Sequence, residues 1–319
     1  MRRPAARAML AGFAGLGLLL TACSPTSGSS RGTAGDGVID VVASTSVYGD
    51  IVSRIGGDKV RVSSIINRTS QDPHSYEATT QDKLAVSKAE LVVENGGGYD
   101  AFIDSLAADT GLDHGNIINA VDVSGFATES PAPATTDSAG HTHEHAGLNE
   151  HVWYSLPAMS RLADAVADKL GSLEPGSAQT FRTNAAAFKD SLGGMETKLA
   201  AIKASAGHAP VAVTEPVPLY LLEDAGLENQ TPEEYTAAIE EDADVPPAVL
   251  KAAVDLVASK GVKLLAYNTQ TEGPQTVTLK KAAETAGIPV VNFSETLPDG
   301  QSYLQWMTGN VESIEKALG

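Results

Sequence analysis

The residues of this chain best suited to chemistry are a few histidines and a few acids that follow apolar runs. His74 and His151, two of seven histidines, each stand where a loop meets a predicted helix or strand. Glu215 and Glu295 each follow a short run of apolar and β-branched residues. Neutral imidazole and carboxylate are both good ligands for divalent transition metals. Taken singly, each residue also fits an ordinary structural role, as a capped turn histidine or an acid near a helix N-terminus.

The distribution of these four residues favours a metal site. Each half of the chain offers two ligand-type side chains beside predicted strand ends, and four ligands complete a closed coordination sphere. Two carboxylates would cancel the charge of a divalent cation, and two imidazoles would add bonds of more covalent character. The pattern therefore predicts one divalent metal bound by His74, His151, Glu215 and Glu295.

A second group of histidines lies in the segment 125–149, which is rich in Thr, Ser, Pro and Ala and has no periodicity. Such a composition predicts a mobile surface loop. His141, His143 and His145 alternate within it and predict an auxiliary, loosely bound zinc, although a polar loop with chance histidines is the alternative. Outer-shell partners for the ligands are also expected near strand ends. The candidates are Asp72, Glu77, Asn95 and Asn268.

Short β-branched runs alternate with helical patterns on both sides of the chain's middle. This alternation predicts parallel sheets with helices on their faces. In the first half it predicts strands at 38–43, 60–66, 91–94 and 116–121, with helices at 48–55, 79–88 and 99–108. In the second half it predicts strands at 210–214, 263–267 and 289–293, with helices at 218–225, 247–260, 276–286 and 302–318. Ligands of such sheets bind outside the carboxyl ends of the strands, where the four candidate ligands stand.

One long helix separates the two halves. Apolar residues recur there at helical spacing, namely Phe181, Phe188, Leu192, Met195, Leu199 and Ile202. This single stripe predicts a rigid helix over residues 175–206. The predicted fold is therefore α/β, with an N-terminal lobe at 38–174, the connecting helix, and a C-terminal lobe at 207–319.

The first residues predict export and lipid anchoring. A basic start is followed by an apolar run of about twelve residues, too short to span a bilayer, which is typical of a signal peptide over 1–22. The small residues before Cys23, the only cysteine, resemble a bacterial lipobox and predict lipidation of its sulfur. Residues 23–37, rich in Ser and Gly, predict a flexible tether. We therefore expect a protein held at the outer face of the cytoplasmic membrane, on the cell surface or periplasmic side.

Charge and composition limit the partners. The net charge of −18 leaves no basic run that could neutralise phosphates, so nucleic acid is excluded. Aromatic residues make up only 5% of the chain and basic residues are sparse. Both facts disfavour a cleft for an organic ligand, which would need aromatic or arginine side chains.

Four sequence blocks are similar to one known family. They are DPHSYEAT at 72–79, NEHVWYSLP at 149–157, TEPVPLYLLEDAGL at 214–227 and SETLPDGQSYLQWM at 294–307. The chain resembles, over about residues 38–319, the zinc/manganese substrate-binding lipoproteins of bacterial ABC metal importers, the cluster A-I type. This resemblance implies one metal ligand from each block, two α/β lobes joined by a backbone helix, and delivery of the metal to a membrane permease.

The resemblance leaves the metal open. Zinc-selective members typically place a third histidine where this chain has Glu215, and the last ligand is commonly Asp rather than Glu295. Two carboxylates supply hard oxygen ligands, which favour Mn²⁺ or Fe²⁺, whereas the histidine-rich segment favours zinc. We expect Zn²⁺, with Mn²⁺ or Fe²⁺ as alternatives, bound by a monomer.

Other functions remain as alternatives. A binding protein for a metal chelate or a small organic molecule is one, and a role as a surface adhesin is another. A zinc-dependent hydrolase is a third, but no H-E-x-x-H helix or G-x-S-x-G elbow occurs in the sequence. We therefore predict a transport protein rather than an enzyme.

Overall fold

The computed structural model describes residues 37–71, 73, 76–126, 135–136, 142–143 and 148–319. The predicted signal peptide, Cys23 and most of the tether lie outside these residues. Among the described residues, no helix combines the length and the apolar character that crossing a membrane requires.

The first lobe contains a parallel sheet of four strands. They are β1 (Ile39–Thr45), β2 (Val60–Ile66), β3 (Leu91–Glu94) and β4 (Ile117–Asn119). Their order in space is β2-β1-β3-β4, so β1 and β3 are central strands and are buried almost throughout. The helices of this lobe are α1 (Ser46–Gly56), α2 (Thr80–Val86), α3 (Phe102–Thr110), α4 (Ala120–Ser124) and α5 (Leu156–Leu173). Two short antiparallel strands, β5 (Thr135–Thr136) and β6 (Thr142–His143), pair between α4 and α5 along the chain.

A helix of 29 residues, α6 (Ala178–Ala206), leads from the first sheet to the second. Its buried side chains include the whole predicted apolar stripe, from Phe181 to Ile202. The helix ends at Gly207, whose φ of 52° lies in the left-handed region that glycine adopts without strain. The buried face of α6 belongs to a hydrophobic core that includes residues of both lobes. Fully burying each large apolar side chain stabilises the fold by roughly 1.5–3 kcal/mol, so this core resists a wide separation of the lobes.

The second lobe repeats the design of the first. Its strands are β7 (Pro210–Val213), β8 (Glu228–Asn229), β9 (Leu265–Asn268) and β10 (Val290–Phe293), all parallel and in the order β10-β9-β7-β8. Its helices are α7 (Leu219–Asp224), α8 (Glu233–Glu240), α9 (Pro247–Ala258), α10 (Pro274–Ala286) and α11 (Tyr303–Leu318). The predicted fold class, two mainly parallel α/β lobes joined by one long helix, is confirmed.

Some local predictions were wrong. Residues 116–121 were predicted to be one strand, but the strand ends at Asn119 and α4 begins at once. The cause is a cap, since the Asn119 side chain accepts a hydrogen bond from the backbone N–H of Asp122 at 3.0 Å. Helix α2 is shorter than predicted at both ends. Thr79 is its N-cap and forms a capping box with Asp82 of the first turn, and the helix ends at Val86. Strand β8 and helix α8 were not predicted.

Candidate metal centre

The two acids predicted as ligands meet at one edge of the second sheet. Glu215 lies just beyond β7 and Glu295 just beyond β10, while β9 runs between these strands and ends at Asn268. Because the strands are parallel, their carboxyl ends deliver all three side chains to the same place. The Nδ2 of Asn268 donates to Glu215 Oε2 at 2.6 Å and to Glu295 Oε1 at 2.8 Å. One amide thus joins the two carboxylates.

Both carboxylates are removed from water. The exposed fraction is 3% for Glu215 and 1% for Glu295. Glu215 also accepts a hydrogen bond from the Thr271 hydroxyl, and Glu295 accepts one from the Tyr99 hydroxyl at 3.0 Å. Burying a charge without compensation is strongly unfavourable, and a pair of like charges increases the penalty. Two buried acids held by neutral donors are therefore well suited to receive a divalent cation.

The side chain of Gln270 binds the backbone of the loop that presents Glu295. Gln270 Oε1 accepts hydrogen bonds from the backbone N–H groups of Glu295 at 2.8 Å and Thr296 at 2.9 Å. Its Nε2 donates to the carbonyl of Gln71 at 3.5 Å, a residue of the first lobe. Gln71, three residues before His74 in the sequence, therefore lies close to the loop that holds Glu295.

His151 comes from the first lobe and is 1% exposed. It immediately precedes a single 3-10 turn, Val152–Tyr154. Its ring meets the ring of Tyr99 edge-on at a centroid distance of 5.8 Å and that of Trp153 at 5.2 Å. Since the Tyr99 hydroxyl donates to Glu295, Tyr99 connects the histidine of one lobe to the carboxylate of the other.

Tyr99 stays a hydrogen-bond donor over the whole physiological range. Burial, followed by the charge of Glu295, raises the pKa of its hydroxyl well above the ordinary value of 10. The contact across the lobes is therefore a neutral hydroxyl donating to a carboxylate, a charge-assisted hydrogen bond.

The Nδ1 of His151 lies near two polar side chains. It lies 2.7 Å from Asn149 Oδ1 and 4.0 Å from Glu240 Oε1. Glu150, His151 and Glu240 form a group whose possible ligand atoms all lie within 4.8 Å of one another. Nδ1 is nevertheless already at hydrogen-bonding distance from Asn149 Oδ1. We therefore interpret this group as surroundings of His151 rather than as a separate metal site.

Sequence reasoning missed Tyr99, Asn149 and Glu240. Glu240 ends α8, a helix whose mixed sequence gave no clear apolar period. Tyr99 contacts a residue 196 positions away, and no local pattern reports such a pairing. Asn149 stands inside the NEHVW block, where its place two residues before His151 was an available signal.

The remaining predicted residues have varied placements. Asn95 is fully buried; its Nδ2 donates to the carbonyl of Glu150 at 2.9 Å, and its Oδ1 accepts from the Tyr48 hydroxyl. It thus supports the backbone next to His151. The Glu77 side chain is exposed. His74, Asp72, His141 and His145 lie outside the described residues, as does the side chain of His143. The assignment of His74, His151, Glu215 and Glu295 as ligands stays a prediction.

Comparisons with known proteins match the chain over most of its length. The model of the family ZnuA, described as zinc-uptake complex component A, periplasmic, matches residues 41–317. The metal ABC transporter substrate-binding lipoprotein ScbA of Streptococcus cristatus is 25% identical over 315 residues, which cover 94% of each chain. The manganese ABC transporter substrate-binding lipoprotein PsaA of Streptococcus pneumoniae is 26% identical over 324 residues, which cover 97% of each chain.

Solved structures share the fold. The periplasmic zinc-binding protein TroA of Treponema pallidum aligns with a TM-score of 0.69 at 18% identity, covering 89% of this chain and 100% of the other. At this identity the likeness concerns the fold alone.

Proposed function

Because the chain belongs to the ZnuA family of zinc-uptake complex components, we propose that it binds one divalent transition metal ion between its lobes and gives it to a membrane permease. The chain is a substrate-binding protein of a metal ABC transporter and not an enzyme. Its relatives are named lipoproteins, and the chain is likewise exported and anchored to the membrane. Beyond this transport class, we propose which residues bind the metal, which metal is bound and how it is released.

The proposed ligands are His74 and His151 from the first lobe and Glu215 and Glu295 from the second. The observation that carries this proposal is the single amide of Asn268, which holds two buried carboxylates within hydrogen-bonding distance of one nitrogen. Tyr99 supports it, since it contacts Glu295 and the ring of His151 at once. Gln270 supports the inclusion of His74 in this set, because it binds both the Glu295 loop and the carbonyl of Gln71, three residues before His74 in the sequence.

The chemistry of this set suits a cation that must be bound tightly and still released. Two carboxylates neutralise the ion, and imidazoles supply the remaining bonds. Metal binding requires deprotonated ligands, so affinity falls as the medium is acidified. Because α6 and the shared core resist wide separation of the lobes, release needs only small shifts of the loops that carry the ligands. Docking on the permease supplies the energy for these shifts.

Zn²⁺ is the proposed cargo, and Mn²⁺ or Fe²⁺ is the second candidate. The three alternating histidines at 141, 143 and 145 favour zinc, as does the family description. The two buried carboxylates favour a harder ion, and several relatives, PsaA among them, are named for manganese. Competition between Zn²⁺ and Mn²⁺ for the purified, metal-free protein decides between them.

A calorimetric titration of the metal-free protein tests the proposal. We expect one tight site per monomer for the wild-type chain and loss of tight binding for Glu295→Gln. Glu312→Gln is the matched control, because Glu312 lies on the surface of α11 and pairs only with Lys198 among the contacts described. Unchanged affinity in Glu295→Gln would remove Glu295 from the site.

The same protein preparation tests the alternative cargo. Heat from a chelated metal but not from the free ion would support a chelate-binding protein.

A further inference from the structure

Asn149 lies where the two lobes meet beside His151, and both its side-chain amide and its backbone carbonyl form hydrogen bonds. Its Oδ1 accepts the backbone N–H of His151 at 3.1 Å and lies 2.7 Å from the ring Nδ1 of the same residue. Its Nδ2 donates to the carbonyl of Pro216 at 3.0 Å, and its own carbonyl accepts the Tyr220 hydroxyl at 2.7 Å. Pro216 follows Glu215 directly and Tyr220 belongs to α7, so both partners come from the second lobe.

These contacts fix which end of the Asn149 amide faces the ring. A backbone N–H can only donate and a backbone carbonyl can only accept. Exchanging the oxygen and nitrogen of the amide would set a donor against the N–H of His151 and an acceptor against the carbonyl of Pro216. The oxygen therefore faces His151, and it is an acceptor for the ring nitrogen as well.

An acceptor at 2.7 Å requires a proton on Nδ1. In the neutral ring, Nε2 is then the unprotonated nitrogen, the form in which imidazole coordinates a metal. Free histidine favours the opposite tautomer, with the proton on Nε2. Glu240 Oε1 also lies near Nδ1, but at 4.0 Å it is beyond hydrogen-bonding distance.

We propose that Asn149 is a positioning residue that holds His151 in the Nδ1–H tautomer and makes this form depend on contact between the lobes. The importance of the tautomer for transport rests on the proposed function. The second lobe forms hydrogen bonds with Asn149 through Pro216 and Tyr220, which belong to the same segment as Glu215. When that segment moves away, Asn149 loses its hydrogen bonds to Pro216 and Tyr220 and no longer holds the His151 ring. His151 then leaves the Nδ1–H tautomer, the form that coordinates the metal, as Glu215 moves away.

Both hydrogen bonds between Asn149 and the second lobe persist over the physiological pH range. Burial, followed by the charges of Glu223 and Glu150, raises the pKa of Tyr220 to about 12, so its hydroxyl keeps the proton that it donates. The Pro216 carbonyl does not titrate. These two contacts of Asn149 with the second lobe therefore do not depend on mild changes of pH.

The test is nuclear magnetic resonance of metal-free protein labelled with ¹⁵N at histidine, recorded at pH 8. Two-bond proton–nitrogen correlations distinguish the two neutral tautomers, and comparison with His151→Gln identifies the signals of His151. Wild-type protein should show the Nδ1–H pattern, and Asn149→Ala should show mainly Nε2–H. Asn149→Asp should restore the wild-type pattern, because a carboxylate keeps the acceptor.

Variants of the second lobe test the coupling. Tyr220→Phe removes the hydrogen bond from the Tyr220 hydroxyl to the carbonyl of Asn149. It should move the tautomer ratio of His151 part of the way towards Nε2–H. Tyr303→Phe is the matched control, since the Tyr303 hydroxyl donates to the carbonyl of Trp153 at 2.7 Å and does not touch Asn149. It should leave the ratio unchanged.

Metal affinity should follow the tautomer, falling by about 10- to 100-fold in Asn149→Ala and much less in Asn149→Asp. An Nε2–H pattern in the wild-type protein, or an Nδ1–H pattern in Asn149→Ala, would overturn the inference. An equal shift in Tyr303→Phe and Tyr220→Phe would overturn the coupling. Failure of wild-type protein to bind metal would instead refute the proposed function, and the tautomer measurement on metal-free protein would be unaffected.

Discussion

Replacing Asn268 by leucine should destabilise the metal-free protein far more than the metal-bound protein. Leucine has the same branched arrangement of side-chain heavy atoms as asparagine, so the substitution removes hydrogen bonds without leaving a cavity. Two bonds to carboxylates are lost, at 2.6 and 2.8 Å, and both acceptors are buried. Each hydrogen bond to a charged group contributes roughly 1.5–3 kcal/mol, so we expect a loss of at least about 3 kcal/mol.

A bound divalent ion should offset much of this loss. The ion neutralises Glu215 and Glu295 in place of the amide, so the carboxylates no longer need its two donors. Thermal unfolding, followed by circular dichroism with a chelator and with saturating Zn²⁺, measures both states. At about 2 °C per kcal/mol for a chain of this size, the metal-free Tm should fall by about 6 °C. The increase in Tm caused by metal should be larger in the variant than in the wild type.

Asn292→Leu is the control, because Asn292 lies on the neighbouring strand β10 with its side chain exposed. It should leave both Tm values within about 1 °C of wild type, as surface substitutions usually do. An unchanged metal-free Tm in Asn268→Leu would show that the amide does not hold the carboxylates. An equal loss with and without metal would show that the ion does not sit against them.

Three further predictions concern other residues. Tyr99→Phe removes the hydroxyl that joins Glu295 to the first lobe, so metal should dissociate faster, by roughly tenfold for one lost hydrogen bond, in stopped-flow mixing with a chelator; an unchanged rate would show that this contact does not retain the ion. Glu215→His replaces an oxygen ligand with nitrogen and should raise the affinity for Zn²⁺ relative to Mn²⁺ in competition titrations, and a shift towards Mn²⁺ would contradict the assignment. Burial, followed by the charges of Asp100 and Asp104, raises the pKa of Glu94 from 4.5 to about 8. The folded chain therefore holds that proton more tightly than the unfolded chain, and between about pH 4.5 and 8 this group lowers the free energy of unfolding by up to about 1.4 kcal/mol per pH unit as pH rises. In urea denaturation Glu94→Gln should match the wild type near pH 4 and exceed it at pH 8; equal stability at both would show that Glu94 does not hold its proton.

The lobes and their connection could be predicted from the sequence because periodicity reports them directly. The stripe from Phe181 to Ile202 follows the turn of an α-helix, and all six of its residues are buried. The pairing of Glu215 with Glu295 followed from a general property of parallel sheets, whose strand ends share one edge.

The surroundings of the site could not be predicted, because they depend on contacts between residues distant in the chain. Tyr99 reaches Glu295, and Asn149 reaches Pro216, only after both lobes have folded around α6. The contact of Glu240 with His151 depends on α8, which has no clear signature of its own in the sequence. Sequence patterns describe which face of an element is buried, and they do not describe what that face will meet.

The most direct test of the metal site is a crystal structure of the chain loaded with Zn²⁺ or Mn²⁺, with anomalous diffraction recorded at the absorption edge of the metal. The proposal predicts one strong peak at about 2.0–2.2 Å from carboxylate oxygens of Glu215 and Glu295 and from one nitrogen each of His74 and His151. A principal peak that lies elsewhere, for instance between Glu150 and Glu240 and away from Glu215 and Glu295, would contradict it.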